Sequence, residues 1–89
     1  MPRLEQEFIV KNPQGLHARP AAMFVQIASK YNSQVTIQKD DEKVNGKSIM
    51  GILTLGAQKD TKLILEVVGD DAEAALAELA QFFNQTETI

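Results

Sequence analysis

The chain has 89 residues, 44% of them hydrophobic and 24% charged, which leaves room for one hydrophobic core and excludes a disordered or two-domain reading. Nine basic against twelve acidic side chains give a net charge of −3, a balance that speaks against a nucleic-acid binder of this size. There is no cysteine, hence no disulfide or thiolate metal site, and the start MPRLEQEFIV holds no apolar run suited to a signal peptide or membrane span; a cytoplasmic chain is expected.

Leu4, Phe8 and Val10 share one parity and predict a first strand over Leu4–Val10, with Gln6 interrupting the apolar side. KNPQG breaks it. From Ala18 to Lys30 the period lengthens: Ala21, Phe24, Val25 and Ala28 fall on one helical face, while Met23 and Ile27 fall off it and point to apolar surface left outside. Val35 and Ile37 alternate with polar neighbours in a second strand, KDDE turns the chain, and Lys43–Asn45 returns as a short third strand. Ser48 is placed to cap a short helix over Ile49–Leu55 that stops at Gly56, with Gly51 weakening its interior. Leu63, Leu65 and Val67 mark a fourth strand. Ile64 makes that strand apolar on both faces at its middle, the pattern of a central strand. A last helix carries Ala72, Ala75, Leu76, Leu79, Ala80 and Phe83 in one stripe, with Asp70, Asp71 and Glu73 at its positive end. The tail Asn84–Ile89 is expected to fray.

The order β-α-β-β-α-β-α, with three helices each apolar on one face, predicts an α+β fold: a two-layer open-faced sandwich with one antiparallel sheet covered on one side. The whole chain, residues 1–89, is read as one domain.

The chemistry concentrates in GLHARPAA, Gly15–Ala22, which holds the only histidine. With His17 as N-cap, Pro20 occupies the third helical position, where its missing N–H costs nothing. The amides of Ala18 and Arg19 are then left facing outward, where a helix start favours an anion and phosphate above all. Arg19 adds a permanent charge on a planar fork that suits phosphate oxygens, and its length lets it converge with His17 on one anion. Imidazole is largely neutral near pH 7, so a ring nitrogen is available to attack a phosphoryl donor and form a phosphohistidine. Protonated imidazole is a good leaving group, so such a product carries the group onward. Gly15 permits a tight turn and keeps bulk away from a partner. Singly, each residue has a plain structural reading: a surface histidine, a solvated arginine, a helix-start proline. Together they mark an anion site. Ser48 likewise reads first as a helix cap.

Gly15-Leu16-His17-Ala18-Arg19-Pro20-Ala21-Ala22 resembles the active-site signature of the HPr family, the histidine-containing phosphocarriers of the bacterial phosphoenolpyruvate:sugar phosphotransferase system. Lys47-Ser48-Ile49-Met50-Gly51, followed by Leu55-Gly56, is similar to that family's regulatory serine segment. The resemblance spans nearly the whole chain and implies the same open-faced sandwich. It implies a carrier, not an enzyme, with no metal or cofactor. His17 would take the phosphoryl group on Nδ1 from phosphorylated enzyme I and pass it to the IIA domains of sugar permeases, with Arg19 neutralising charge. It also implies phosphorylation of Ser48 by an HPr kinase/phosphorylase, with a transcriptional regulator as a further partner. A phosphoserine there adds about 1.5 to 2 negative charges, which would repel a partner with an acidic rim and suit one with a basic pocket. Ala22, Ile49, Met50 and Leu53 are expected to form the docking patch, Met50 foremost for its adaptable thioether, with Ile52 and Leu55 in the core. Gln14 stands where many members carry a shorter polar residue. Three alternatives remain at this point. They are a nitrogen-branch regulatory phosphocarrier, an acylphosphatase-like hydrolase with no need of His17, and a plain binding module. Nothing demands more than a monomer.

Overall fold

Four strands and three helices alternate as the periodicities require: β1 (Arg3–Ile9), α1 (Ala18–Ala28), β2 (Gln34–Lys39), β3 (Glu42–Asn45), α2 (Ile49–Thr54), β4 (Lys62–Val68) and α3 (Ala72–Asn84). They are seen in a computed structural model, which describes residues 1–85.

The strands form one antiparallel sheet in the order β1-β4-β2-β3. β4 lies inside it, as its two-sided apolar middle requires, paired to β1 through Leu4↔Val67 and Phe8↔Leu63 and to β2 through Val35↔Val67 and Ile37↔Leu65. Strand period places Phe8, Val35, Ile37, Leu63, Leu65 and Val67 on one face, and the helices bury them there. The opposite face is open and charged. Arg3 pairs with Glu66 and Glu5, relieving the carboxylates of Glu5 and Glu66 that stand opposite each other, and Lys62 lies 3.8 Å from Glu7.

The helix stripes are wider than the sequence suggested. Phe82 is buried as well as Phe83, because α3 lies against both the sheet and α1. Phe83 stacks on Phe8 of β1 at 4.9 Å, and Phe82 meets Phe24 of α1 edge-on at 6.1 Å. In α1 the buried residues are Pro20, Ala21, Phe24 and Ala28, with Val25 only partly covered.

Several boundaries differ from expectation for local reasons. α1 ends at Ala28, not Lys30, with Ser29 as its C-cap. β1 ends at Ile9, and Val10 reaches the core one residue beyond it, exchanging backbone bonds with Thr61 and Asp60 at 2.9 and 2.7 Å. Of KDDE only Asp40 and Asp41 turn the chain. Lys39 and Glu42 pair as the last rung of the hairpin, and Asp40 takes φ 54°, a left-handed turn that aspartate tolerates. Asn84 closes α3 and Gln85 caps it; the rest of the expected frayed tail, 86–89, lies outside the described residues.

Candidate functional site

The geometry around His17 begins with Asn12, a buried residue that organises the turn before it. Its Oδ1 accepts from the Gln14 amide at 2.8 Å and its carbonyl accepts from the Gly15 amide at 2.8 Å. Gly15 adopts φ +72°, and a Cβ there would lie 2.4 Å from the Ala57 carbonyl oxygen. Only glycine lets the two loops approach this closely. Leu16 then buries its side chain and donates its amide to that same Ala57 oxygen at 2.8 Å. His17 is thus held between a buried Leu16 on one side and a buried Pro20 on the other.

His17 is the N-cap of α1, with extended backbone at φ −81° and ψ −171° and no capping bond from its side chain. The first helical bond runs from the Ala21 amide to the His17 carbonyl at 3.0 Å. Pro20, at the third helical position, has no amide to offer. The amides of Ala18 and Arg19 therefore remain as unpartnered donors at the positive end of an eleven-residue helix. Both residues are exposed, and the Arg19 guanidinium makes no ion pair among the described residues.

The two ring nitrogens of His17 are not equivalent. Nε2 is buried and has no hydrogen-bond partner. Nδ1 also lacks a partner but is not buried, so it is the nitrogen that a reactant can reach. A neutral imidazole holding its proton on Nε2 presents the Nδ1 lone pair outward. The ring lines a depression of about 250 Å³ with Gln14, Leu16, Leu53, Gly56, Ala57 and Gln58. The chain segment from residue 4 to residue 85 matches the family model described as the PTS HPr component phosphorylation site.

The chain belongs to the HPr family. Its resemblance to the HPr-family proteins named below covers nine-tenths or more of the chain. It is 43% identical over 81 residues to phosphocarrier protein HPr of Neisseria meningitidis serogroup A, covering 91% of each chain. The structure of HPr from Thermoanaerobacter tengcongensis superposes with a TM-score of 0.91 at 45% identity, covering 97% of both chains. Crh of Bacillus subtilis, a catabolite repression protein whose crystal structure is described as a domain-swapped dimer, superposes with a TM-score of 0.76 at 41% identity, covering 93% of this chain and 95% of that one. Like its HPr relatives the chain is a phosphocarrier-family protein and not an enzyme. Among its described residues no helix is long and apolar enough to cross a membrane.

The other residues singled out in the HPr-like sequence fall as follows. Ser48 is the N-cap of α2, its Oγ accepting from the Gly51 amide at 3.0 Å. At the other end of α2, Lys39 Nζ donates to the Leu55 carbonyl at 3.0 Å, placing a cation at the negative end. Six residues of α2 rise about 9 Å, so Leu53 shares the depression of His17 while Ser48 sits at the far end of the helix. Met50 is 70% exposed and Ile49 39%, against 0% for Ile52 and 2% for Leu55. Ala22 and Leu53 are half-buried, and Met23, which is exposed, lies on the side of α1 that faces α3.

Sequence reasoning missed the opposing wall, Gly56 to Gln58. Nothing local in AQKD signals it. The one available hint was Gly15, whose demand for close approach implies a second backbone against it.

Proposed function

We propose that this chain carries phosphoryl groups on His17 Nδ1, taking them from phosphorylated enzyme I and delivering them to IIA domains of sugar permeases in the cytoplasm. The observation that carries this reading is a single constellation: one open ring nitrogen beside two unpartnered amides at the start of α1.

In the accepting step the Nδ1 lone pair forms a bond to phosphorus while the donor's bond to phosphorus breaks, its electron pair leaving with the donor. Delivery reverses this, with the N–P electrons returning to the ring. Little covalent work falls to the protein; positioning and charge do the rest. The amides of Ala18 and Arg19 address the phosphoryl oxygens, and the Arg19 side chain offsets charge as the group moves between partners. Ala22, Ile49, Met50 and Leu53 dock enzyme I and the IIA domains through apolar contact. Ser48 is the regulatory position, a substrate for an HPr kinase/phosphorylase whose product recruits a transcriptional regulator. Its phosphate would stand beside Ile49 and Met50 and so change what that patch accepts. The functional unit is one domain over residues 1–89 acting as a monomer, with its docking face free; light scattering across a concentration series tests this against a swapped dimer like that of Crh.

Incubation with phosphoenolpyruvate and enzyme I, followed by intact-mass measurement, tests the main reading. One phosphoryl group is expected, labile in acid and absent from His17→Ala. A chain that stays unmodified, or a His17→Ala variant that takes up the same group, removes it.

A further inference from the structure

The supply of hydrogen-bond donors on the two walls of the His17 depression is unequal. A phosphoryl group presents three strong acceptor oxygens. On the α1 side the donors are the amides of Ala18 and Arg19, and Pro20 ends the series there. On the opposite wall, Gly56 to Gln58, two of the three backbone amides are already committed. The Gly56 amide donates to the Leu53 carbonyl at 3.2 Å, and the Leu16 amide to the Ala57 carbonyl at 2.8 Å. The Gln58 amide donates to Thr61 Oγ1 at 3.1 Å, and the Gln14 amide to Asn12 Oδ1 at 2.8 Å. The donors left among these lining side chains are the carboxamides of Gln14 and Gln58, both exposed and neither engaged by its side chain among the described residues.

Gln14 belongs to His17's own turn. Gln58 comes from across the depression, in the segment between α2 and β4. Its Cα is locked there: a Cβ on Gly15 would stand 2.9 Å from it, and its amide is tied down by Thr61. Gly56, two residues before it, adopts φ +60°, and an added Cβ there would meet nothing within 4 Å.

We infer that the Gln58 carboxamide is a phosphoryl-binding group, donating its N–H to the oxygen of phospho-His17 that faces away from α1. The inference rests on the proposed role of His17. It makes the phosphorylated state a two-walled site, with backbone amides on one side and a neutral side-chain donor on the other. A neutral donor holds the group without adding a second full charge that would have to be pulled away at delivery.

The test is the equilibrium of phosphoryl transfer between enzyme I and this chain, measured for wild type, Gln58→Ala, Gln58→Lys and Gln14→Ala at one pH. Loss of one hydrogen bond to a charged acceptor should move the Gln58→Ala equilibrium about tenfold or more toward phosphorylated enzyme I. Gln58→Lys, which restores a donor, should return most of it. Melting temperatures of the unphosphorylated variants should be unchanged, since the side chain bonds to nothing in that state. An equilibrium identical in wild type and Gln58→Ala, or one that moves only with Gln14→Ala, overturns the inference and leaves the role of His17 intact. Failure of wild type to accept the group at all is a different result and overturns the role of His17 itself.

Discussion

The two ends of the sheet use the same device to opposite purposes. At one end Gly15, at φ +72°, lets the His17 turn close on Ala57. At the other end Gly69, at φ +153°, lets the β4–α3 turn close on Ser33, where a Cβ would lie 2.4 Å from Ser33 Oγ. Beyond that likeness they diverge. Around Gly69 several polar groups are spent on one another. The Asp71 carboxylate accepts the amides of Asn32 and Ser33 at 2.8 and 2.9 Å and the hydroxyl of Ser33. Nearby, Glu78 takes both Lys30 and Tyr31, and the Tyr31 carbonyl takes Lys47 Nζ at 2.7 Å. Around His17 two amides, a guanidinium and both ring nitrogens are left without partners among the described residues. Size would choose wrongly between them, because the concavity beside Gly69, about 400 Å³ and lined by Asp70 and Asp71, is larger than the one holding His17. Unspent donors, not volume, distinguish the end proposed to meet another molecule from the end that holds the fold together.

The sharpest way to break this contrast is at His17. His17→Ala is expected to abolish phosphoryl uptake with the melting temperature nearly unchanged, because the ring makes no hydrogen bond that the fold depends on. Next in size is Arg19→Glu, which reverses a charge two residues from the acceptor that makes no ion pair among the described residues. Transfer from enzyme I should slow about a hundredfold, the order found when a donor to a developing anion is removed, and the circular dichroism spectrum should not change.

Met50→Glu should act more narrowly. It leaves the chemistry untouched but charges the most exposed part of the apolar patch. The Michaelis constant for the chain as a substrate of enzyme I should rise several-fold, as loss of one interface anchor does, while the maximal rate holds. An unchanged Michaelis constant would place docking elsewhere.

The smallest effects belong to the far end, and they are effects on stability alone. Bonds from Ser33 and Asn32 hold the Asp71 carboxyl below its ordinary range, and bonds from Lys30 and Tyr31 do the same for Glu78. Carboxylates lowered in the folded state stabilise it fully above their unfolded pKa, and that contribution is lost as pH falls through the carboxylate range. Asp71→Asn and Glu78→Gln should therefore lower the denaturation midpoint at neutral pH and flatten its fall in acid, with phosphoryl transfer unaffected. A transfer defect in either variant would erase the distinction between the two ends.

How much of this was legible in the sequence follows the range of each contact. The sheet and helices were readable because period is local: the alternation in β4 and the stripe in α3 required nothing distant. The N-terminal chemistry of α1 was readable for the same reason, since His17, Arg19 and Pro20 lie within four residues. Ser48 as a cap needed only the turn that follows it. What escaped was long-range. Asp71 read as a charge placed for the helix dipole, yet its partners are 38 and 39 residues away. Phe82 lay outside the stripe read in the sequence, and it is the packing of α3 against α1 that buries it. Gln58 carried no signal at all, because its meaning depends on Gly15 folding against it.

One measurement reaches the central claim directly: nitrogen-15 and phosphorus-31 NMR of the chain after phosphorylation by enzyme I, with the imidazole labelled. The N–P coupling is expected on Nδ1 of His17, the open nitrogen, together with large downfield shifts of the Ala18 and Arg19 amide protons. Coupling to Nε2, or a phosphoryl signal with both amides unmoved, would contradict the account.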